Sequence, residues 1–325
     1  MSILVTGGAG FIGSHFLQHL LATTTEHLIC LDNFNNYYDP AIKRANVAEL
    51  FGNPRVALVR GDFCEEAELT DVLETYQVSR VMHLGGYPGV RYSVENPAIY
   101  QEVNTLGTLR VLEAVRRVGV RRVVVVSSST VYGRGATAPF AEDAPLGVPL
   151  SPYGASKRAA ELLAFTYHEL HQVPAVCVRL FSVYGPRLRP DLAMTMFAER
   201  IVRGQPIKLF GDGSVCRDFT HVSDICRGLA ACLFTKNIEG EAFNLGHDEP
   251  IAIRELICRL ETGLGQRAIV EMQPGRREDM PVTHADLTKS RQWLGYSPSV
   301  SFHIGCQQYC DWYLATHAAN RSAAA

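Results

Sequence analysis

The sequence lacks the features of several broad classes of protein. Its 325 residues carry 31 basic and 33 acidic side chains, a net charge of −2, and no basic stripe, so nucleic acid is not expected as a partner. The longest apolar candidate, "VVVV" at 123–126, has the length of a strand and not of a membrane span. The opening "MSILVTGG" shows no charged leader before a long apolar segment, so neither a secretory signal nor a membrane partner is expected.

Metal-binding patterns are missing as well. The nine cysteines are scattered between Cys30 and Cys310 without a Cys-x-x-Cys pair, and the eleven histidines form no His-Glu-x-x-His motif. The sequence therefore predicts no metal site. Because reduced thiols are typical of the cytoplasm, we expect a cytoplasmic enzyme.

What the first half does contain is a regular alternation of strand-like and helical segments. Apolar runs typical of strands lie at 3–7, 27–32, 56–62, 80–86 and 121–129, and helical patterns lie at 65–76 and 96–118. Continuous apolar runs indicate a parallel sheet that is buried on both faces. The alternation predicts a Rossmann-like, doubly wound α/β fold.

The second half predicts a smaller lobe. After a strand-like run at 175–181 the pattern is irregular and rich in Pro and Gly as far as residue 215, whereas 241–246 again resembles a strand. The remaining residues are mainly helical. We expect 1–180, rejoined by 220–250, to form the Rossmann domain, and 181–219 with 251–325 to form a mainly helical C-terminal substrate-binding lobe.

A glycine-rich segment follows the first strand. In "VTGGAGFIGSH", Gly7, Gly10 and Gly13 allow a tight turn and close approach of the backbone, and the helix that starts here attracts a pyrophosphate at its N-terminus. A plain glycine-rich turn is the alternative, but the position after the leading strand favours a dinucleotide. Asp32 ends the second strand, where a carboxylate binds the adenosine ribose and repels a 2′-phosphate. The pattern predicts NAD and not NADP.

The segment "SPYGASK" at 151–157 predicts the start of a helix. Ser151 suits the N-cap and Pro152 the first helical position, so Tyr153 and Lys157 lie one turn apart on the same face. An ordinary amphipathic helix explains the same spacing equally well. The chemistry of the neighbouring segments favours a functional interpretation.

Ser128 adds a third polar group, because "SSSTVYG" follows the fifth strand, where open α/β sheets bind their ligands. A tyrosine hydroxyl has an ordinary pKa of ~10, too high for a base at neutral pH. We expect the Lys157 ammonium and a cationic nicotinamide to lower the pKa of Tyr153, and Ser128 to hold the reacting hydroxyl. The three residues are the predicted catalytic set.

Taken together, these motifs resemble those of the extended short-chain dehydrogenase/reductases, and specifically the nucleotide-sugar epimerases. Within that family the segments "LDNFNNYYDP", "GVRYSVENP" and "YGPRLRPDLAM" are most similar to UDP-glucuronate 4-epimerases. The resemblance implies NAD-dependent 4-epimerisation of a UDP-sugar through a 4-keto intermediate. It also implies a homodimer, with contacts through the helices at 96–118 and 151–171.

The resemblance also assigns individual site residues. The implied NAD contacts are Gly7, Gly10, Phe11, Ile12, Gly13, Asp32, Asn33, Asp62, Phe63, Leu84, Gly85, Gly86, Asn104, Ser127, Tyr153 and Lys157. The implied substrate contacts are Arg91, Ser128, Ser129, Ser182, Arg189, Phe210, Arg217, Arg276 and Asp279. Family members commonly have two alanines where this chain has Gly85 and Gly86, a departure that removes no chemical group.

Several of these roles have alternatives. Phe210 stacks on uracil or packs in the core, and Arg217 pairs with the diphosphate or with the neighbouring Asp218. By family resemblance Arg276 binds phosphate and Asp279 binds ribose.

The identity of the sugar rests on residues near its C4 and C6 atoms. Dehydratases and decarboxylases of this superfamily use acidic residues where this chain has Ser129 and Thr130, so simple epimerisation is favoured. Arg189, near Arg187, suits a C6 carboxylate, and neutral-hexose epimerases have asparagine where this chain has Ser182. UDP-glucuronate is therefore the favoured substrate. The alternatives are a UDP-glucose or UDP-N-acetylglucosamine 4-epimerase, a sugar or alcohol dehydrogenase, or arginines that merely hold a loop.

Overall fold

The computed structural model describes residues 1–275 and 280–323. Its strands are β1 (Ser2–Thr6), β2 (His27–Asp32), β3 (Val56–Arg60), β4 (Val78–His83), β5 (Arg122–Ser128), β6 (Ala175–Leu180), β7 (Ser182–Tyr184), β8 (Pro206–Phe210), β9 (Cys216–His221), β10 (Ala242–Leu245), β11 (Pro250–Ala252) and β12 (Ile269–Gln273). Its α-helices are α1 (Phe11–Thr23), α2 (Pro40–Val47), α3 (Glu66–Thr75), α4 (Val90–Glu95), α5 (Pro97–Tyr100), α6 (Gly107–Val118), α7 (Pro152–His171), α8 (Ala193–Val202), α9 (Val222–Phe234), α10 (Ile253–Leu264), α11 (Thr288–Leu294) and α12 (Phe302–Ala323).

The main sheet has seven parallel strands in the order β3-β2-β1-β4-β5-β6-β10. Ile3 and Val5 pack in the core on one face, with residues of α1 and α9, whereas Leu4 packs in the core on the other face, with residues of α3, α6 and α7. Burial of both faces explains the continuous apolar runs. The expected Rossmann-like, doubly wound fold is confirmed. In the described part of the chain, the helices are too short or too polar to cross a bilayer.

Two smaller sheets lie outside the main one. One has the order β11-β9-β7, and the other pairs β12 with β8. The segment after β6 was expected to be irregular as far as residue 215, but it contains β7, α8 and β8. The region from 251 was expected to be mainly helical, and it also supplies β11 and β12. The second expectation still holds, since α10, α11 and α12 make up most of the described residues from 251. The first is wrong: the ten-residue helix α8 was missed, and β7 and β8 are short edge strands whose local pattern is weak until a partner strand covers them.

The predicted helix at 96–118 is not continuous. A short helix, α5, is followed by a π-helical turn at Gln101–Leu106, and only then by α6. Such turns place one extra residue in the helix and often occur at functional sites. Here the widened turn contains Asn104, which is almost completely buried.

Candidate active site

A cavity of about 920 Å³ lies beyond the carboxyl ends of β1 to β6. The strand order reverses between β1 and β4, which is where doubly wound sheets bind their ligands. The expected NAD contacts that line it are Gly7, Gly10, Phe11, Ile12, Gly13, Asp32, Asn33, Asp62, Phe63, Leu84, Gly85, Gly86, Ser127, Tyr153 and Lys157. The expected substrate contacts that line it are Arg91, Ser128, Ser129, Ser182, Arg189, Phe210 and Arg217. Arg276 and Asp279 lie outside the described residues.

The glycine-rich turn after β1 forms one wall of the cavity. Gly7 has a φ of +66°, and a Cβ atom there would lie 2.9 Å from the Cα of Gly85. A Cβ atom on Gly13 would lie 2.3 Å from the carbonyl oxygen of Gly7. Helix α1 starts at Phe11 after Gly10, without a side-chain cap, so its first N–H groups face the cavity unshielded. A wall of this shape and polarity fits a dinucleotide pyrophosphate.

Asp32 is held rigidly at the end of β2. Its Oδ1 atom accepts the N–H of Phe34 at 2.8 Å, and its Oδ2 atom accepts the N–H of Ala9 at 3.2 Å. The Nζ atom of Lys43 lies 3.4 Å from Oδ1 and also donates to Asn35 at 3.0 Å. Lys43 lines the cavity, and this position was not predicted from the sequence. It reaches Asp32 from α2, which packs against α1, and this placement depends on contacts between segments that are distant in the sequence.

The Ser–Tyr–Lys set is brought together by α7 and β5. Ser151 caps α7 by accepting the N–H of Gly154 at 3.1 Å, as its position before Pro152 predicted. Lys157 Nζ donates to the carbonyl oxygen of Val126 at 2.9 Å. Ser128 lies close enough to Tyr153 to favour its ionised form, and both side chains line the cavity.

The protonation of this set is governed mainly by burial. Burial raises the pKa of Tyr153, while the hydrogen bond with Ser128 and the charge of Arg189 act to lower it. Burial lowers the pKa of Lys157 to about 8, against the charge of Glu161, which acts to raise it. The expected lowering of the Tyr153 pKa by Lys157 is therefore not found among the protein's own groups. The cation whose charge acts to lower the pKa of Tyr153 is Arg189.

The two arginines after β7 have different roles. Arg187 does not line the cavity; its Nη2 atom donates to Gln18 at 2.6 Å and its Nη1 atom to the carbonyl of Asn46 at 3.0 Å, so it holds the loop. Arg189 lines the cavity and forms a two-bond ion pair with Asp191. Only the second arginine is available to a ligand.

The other end of the cavity combines aromatic and basic side chains. Phe210 lies at the cavity wall, with the Arg91 guanidinium 5.7 Å from its ring centre, so it is not a core residue. Arg217 donates to the carbonyl oxygens of Cys216 at 2.9 Å and Met280 at 2.7 Å. A flat apolar ring beside one guanidinium group, with a second in the same cavity, suits a nucleobase that carries phosphates.

Asn104 has a different place from the one expected. Its Oδ1 atom accepts the N–H of Tyr87 at 2.7 Å, and its Nδ2 atom donates to the carbonyl of Tyr87 at 2.9 Å and to Ser156 at 3.1 Å. It lies behind the cavity wall and fixes the loop after β4. This position depends on the π-helical turn, which no sequence signal indicated.

These features define an extended short-chain dehydrogenase/reductase: a doubly wound sheet, a glycine loop, a strand-ending aspartate and a Ser–Tyr–Lys set in one cavity. The chain belongs to the NAD dependent epimerase/dehydratase family, whose model matches residues 3–246. The family expected from the sequence motifs is thus confirmed.

Individual relatives are similar over nearly the whole chain. A UDP-glucuronate 4-epimerase of Thermodesulfobacterium geofontis is 39% identical over 310 residues, which cover 95% of each chain. The crystal structure of a UDP-glucuronic acid 4-epimerase from Bacillus cereus, in complex with UDP-glucuronic acid and NAD, superposes with a TM-score of 0.92 at 36% identity and covers 97% of this chain and 100% of that one. A dTDP-glucose 4,6-dehydratase from Streptomyces venezuelae has a TM-score of 0.90 at 32% identity, with 98% of each chain covered.

Proposed function

We propose that this protein catalyses the NAD-dependent 4-epimerisation of UDP-glucuronate to UDP-galacturonate. The observation that carries the proposal is the placement of Arg189 in the same cavity as Tyr153, near enough for its charge to act on the tyrosine. A cation there suits a sugar that carries a carboxylate on the carbon next to the reacting one. The relatives named UDP-glucuronate 4-epimerase support the same substrate.

The cavity wall fits NAD in shape and charge. Gly7, Gly10 and Gly13 would hold the pyrophosphate, and Asp32 the adenosine ribose. NAD in the solved relative supports this cofactor. When bound, NAD supplies a hydride acceptor that also returns the hydride, so that the reaction involves no net oxidation.

The protein's own groups move and hold the proton. Tyr153 removes the proton from the sugar 4-hydroxyl and returns it, because its hydroxyl lines the cavity within the influence of Ser128 and Arg189. Ser128 donates to the reacting oxygen and holds it in place. Lys157 keeps a cation beside the site at neutral pH, since its pKa of about 8 lies above that pH. The sugar oxidised at C4 rotates in the site before the second half of the reaction, so that its opposite face is reduced.

The remaining polar residues bind the two ends of the substrate. Arg189 binds the C6 carboxylate, with Ser182 and Ser129 as supporting hydroxyl groups. At the nucleotide end, Phe210 stacks on uracil, and the guanidinium groups of Arg91 and Arg217 bind the diphosphate. Arg276 and Asp279 are proposed for the phosphate and the ribose by family resemblance alone.

A dehydratase, also represented among the structural relatives, is less suited to this site. Elimination of water needs an acid and a base beside the sugar, and the residues next to Ser128 are Ser129 and Thr130. Thr130 donates its hydroxyl to Ser128 at 3.0 Å. Hydroxyl groups of this kind do not ionise near neutral pH.

Proton NMR of purified enzyme with UDP-glucuronate, UDP-glucose and UDP-N-acetylglucosamine, each in a separate tube, tests the proposal. We expect only UDP-glucuronate to give the 4-epimer, with no net change in absorbance at 340 nm. Turnover of a neutral sugar alone would overturn the substrate, and steady accumulation of NADH would indicate a dehydrogenase instead.

The organisation of the chain forms a second part of the proposal. We propose an NAD-binding domain at 1–180 with 220–250, and a UDP-sugar-binding lobe at 181–219 with 251–325. In support, α9 and β10 pack with the main sheet, whereas β7, β8, β11 and β12 form the smaller sheets. Limited proteolysis of the protein with and without UDP tests this division, since UDP should protect the lobe preferentially.

We further propose a homodimer in a reducing cytoplasm. Helix α7 exposes Leu162 and Leu170, at 59% and 70% of their full surface, and Leu106 before α6 is 47% exposed. A second copy that covers these leucines would bury the apolar surface. All nine cysteines are free thiols, which suits a reducing compartment. Light scattering after size-exclusion chromatography tests the dimer directly.

A further inference from the structure

The ion pair between Arg189 and Asp191 uses one defined edge of the guanidinium group. Arg189 Nε donates to Oδ1 of Asp191 at 2.9 Å, and Nη2 donates to Oδ2 at 3.0 Å. A guanidinium carries five N–H donors in one plane. Asp191 takes two of them on the Nε edge, so donors on both terminal nitrogens remain for a second, bidentate partner.

Asp191 is itself fixed by a part of the chain far from it in sequence. The hydroxyl of Tyr37 lies 3.2 Å from Oδ2 of Asp191 and 3.0 Å from the carbonyl oxygen of Pro88. The loops after β2, β4 and β7 therefore meet at this carboxylate, and Tyr37, Pro88, Arg189 and Asp191 all line the cavity. Side-chain exposure is 16% for Arg189 and 30% for Asp191. The pair is thus shielded on most sides without being sealed from a ligand.

Asp191 carries a full charge at neutral pH. Burial acts to raise its pKa, but the hydrogen bonds and charge of Arg189, together with the hydrogen bond from Tyr37, hold the pKa below its usual value. The pair is consequently close to neutral before substrate arrives. An arginine held in this way has already lost most of its side-chain freedom, which reduces the entropy lost on binding.

We infer that Asp191 is a positioning residue that makes the site selective for an anionic sugar, because it fixes the Arg189 guanidinium by its Nε edge and leaves the terminal N–H pair for a carboxylate. The inference rests on the proposed function. A lone flexible arginine would meet the same carboxylate in many orientations. An Asp191 that fixes the guanidinium plane selects the orientation before binding. A neutral hydroxymethyl group gains little from this arrangement, because it accepts fewer and weaker bonds.

The decisive variant is Asp191→Asn. Its amide oxygen retains one bond to Arg189, but its NH₂ group faces an N–H donor, so the two-bond contact is lost and the guanidinium plane is released. We expect the KM and the dissociation constant for UDP-glucuronate to rise about tenfold, the scale of one charge-assisted bond. The kcat at saturation, the affinity for UDP and the bound NAD should stay as in the unaltered enzyme, since the groups that provide them are untouched.

Two further variants separate positioning from general support of the fold. Tyr37→Phe removes the hydroxyl bond to Asp191 but leaves the ion pair, and should raise the KM by only about two- to threefold. Glu199→Gln removes the exposed ion pair with Arg203 on α8 and is the matched control. It should change neither constant, because exposed pairs contribute little.

The measurements are turnover by NMR and binding of UDP-glucuronate, UDP-glucose and UDP by calorimetry. A lower KM for UDP-glucuronate in Asp191→Asn would mean that Asp191 competes with the substrate for Arg189, and would overturn the inference. An unchanged KM, or an equal loss of affinity for all three ligands, would overturn it as well. Absence of UDP-glucuronate turnover in the unaltered enzyme would instead refute the proposed function, while the binding data would still decide the role of Asp191.

Discussion

The buried ion pair between Glu161 and Arg179 links α7, the helix that carries Tyr153 and Lys157, to the sheet. Arg179 on β6 donates to the Glu161 carboxylate on α7 through two bonds of 3.0 Å, one from Nε to Oε1 and one from Nη2 to Oε2. The side chains are only 4% and 3% exposed. Glu161→Gln keeps the size of the side chain but leaves the Arg179 charge without its counter-ion.

The size of the effect follows from this burial. Removal of one partner of a buried pair costs about 3–5 kcal/mol. Arg179 also donates to the carbonyl of Glu142 at 3.3 Å and lies 4.9 Å from the centre of the Tyr132 ring. Because these contacts remain, we expect a loss of stability near the lower end of that range. A chain of this length has an unfolding entropy of about 0.7 kcal/mol/K, so a loss of ~3 kcal/mol lowers the melting temperature by about 4 °C.

The same change alters the pH dependence of activity. Burial lowers the pKa of Lys157 to about 8, and the charge of Glu161 acts to raise it, so Glu161→Gln should lower that pKa further. As the pH rises, an ammonium with a lower pKa loses its proton earlier, that is, at a lower pH. The alkaline decline of kcat should therefore move to lower pH, while activity at pH 6 changes little.

Thermal denaturation followed by circular dichroism, and kcat measured from pH 6 to 9, test both effects. Glu255→Gln is the control: its exposed pair with Arg259 should affect neither quantity. Replacement of both Glu161 and Arg179 by methionine should recover most of the lost stability, since no unpaired charge remains. A drop of less than 1 °C in Glu161→Gln, or an unmoved alkaline limb, would refute the reasoning.

Three further predictions concern the site itself. Tyr153→Phe should fold and retain NAD but lose at least about a hundredfold in epimerisation, the scale of a lost general base; near-normal turnover by NMR would remove Tyr153 from the mechanism. The unaltered enzyme should bind NAD more tightly than NADP, and Asp32→Ala should narrow the difference between the two affinities, measured by calorimetry. Equal affinities in the unaltered enzyme would contradict the role of Asp32 in excluding a 2′-phosphate. Arg189→Ala should weaken the binding of UDP-glucuronate about ten- to a hundredfold and leave the binding of UDP almost unchanged. Arg189→Lys should recover only part of the lost affinity, since an ammonium lacks the planar fork. Some decarboxylated UDP-pentose should form in these variants, because the carboxylate of the 4-keto intermediate is no longer held in a fixed orientation. If binding of UDP falls in parallel, Arg189 is a diphosphate ligand.

The sheet and the glycine loop were predictable because the signals that specify them are local. Val123, Val124 and Val125 lie in one short run because both faces of β5 are buried, and this pattern is readable in any single strand. Gly7 is required by its own φ and by one close neighbour. The spacing of Tyr153 and Lys157 is likewise fixed by one helix turn.

Other features depend on pairs of residues that are distant in the sequence. The contact of Asp191 with Tyr37 joins two loops 154 positions apart, and no local pattern in either segment predicts it. The direction of the Tyr153 pKa shift depends on how much water the surrounding elements exclude. Short edge strands such as β8 and β12 are specified by each other more than by their own residues.

Helix α7 shows why the amphipathic interpretation of "SPYGASK" was incomplete. Tyr153, Lys157 and Glu161 follow one another at intervals of four, so they form a stripe on one face, but this polar stripe is the one turned toward the protein. Each member meets a partner on β5 or β6: Ser128 for the tyrosine, a backbone carbonyl for the lysine and an arginine for the glutamate. The helix exposes leucine on another face, the reverse of an ordinary surface helix. Polar groups buried in this way destabilise the fold unless each is satisfied, so the partners that position Tyr153 and Lys157, the proposed catalytic groups, are also those that allow α7 to pack.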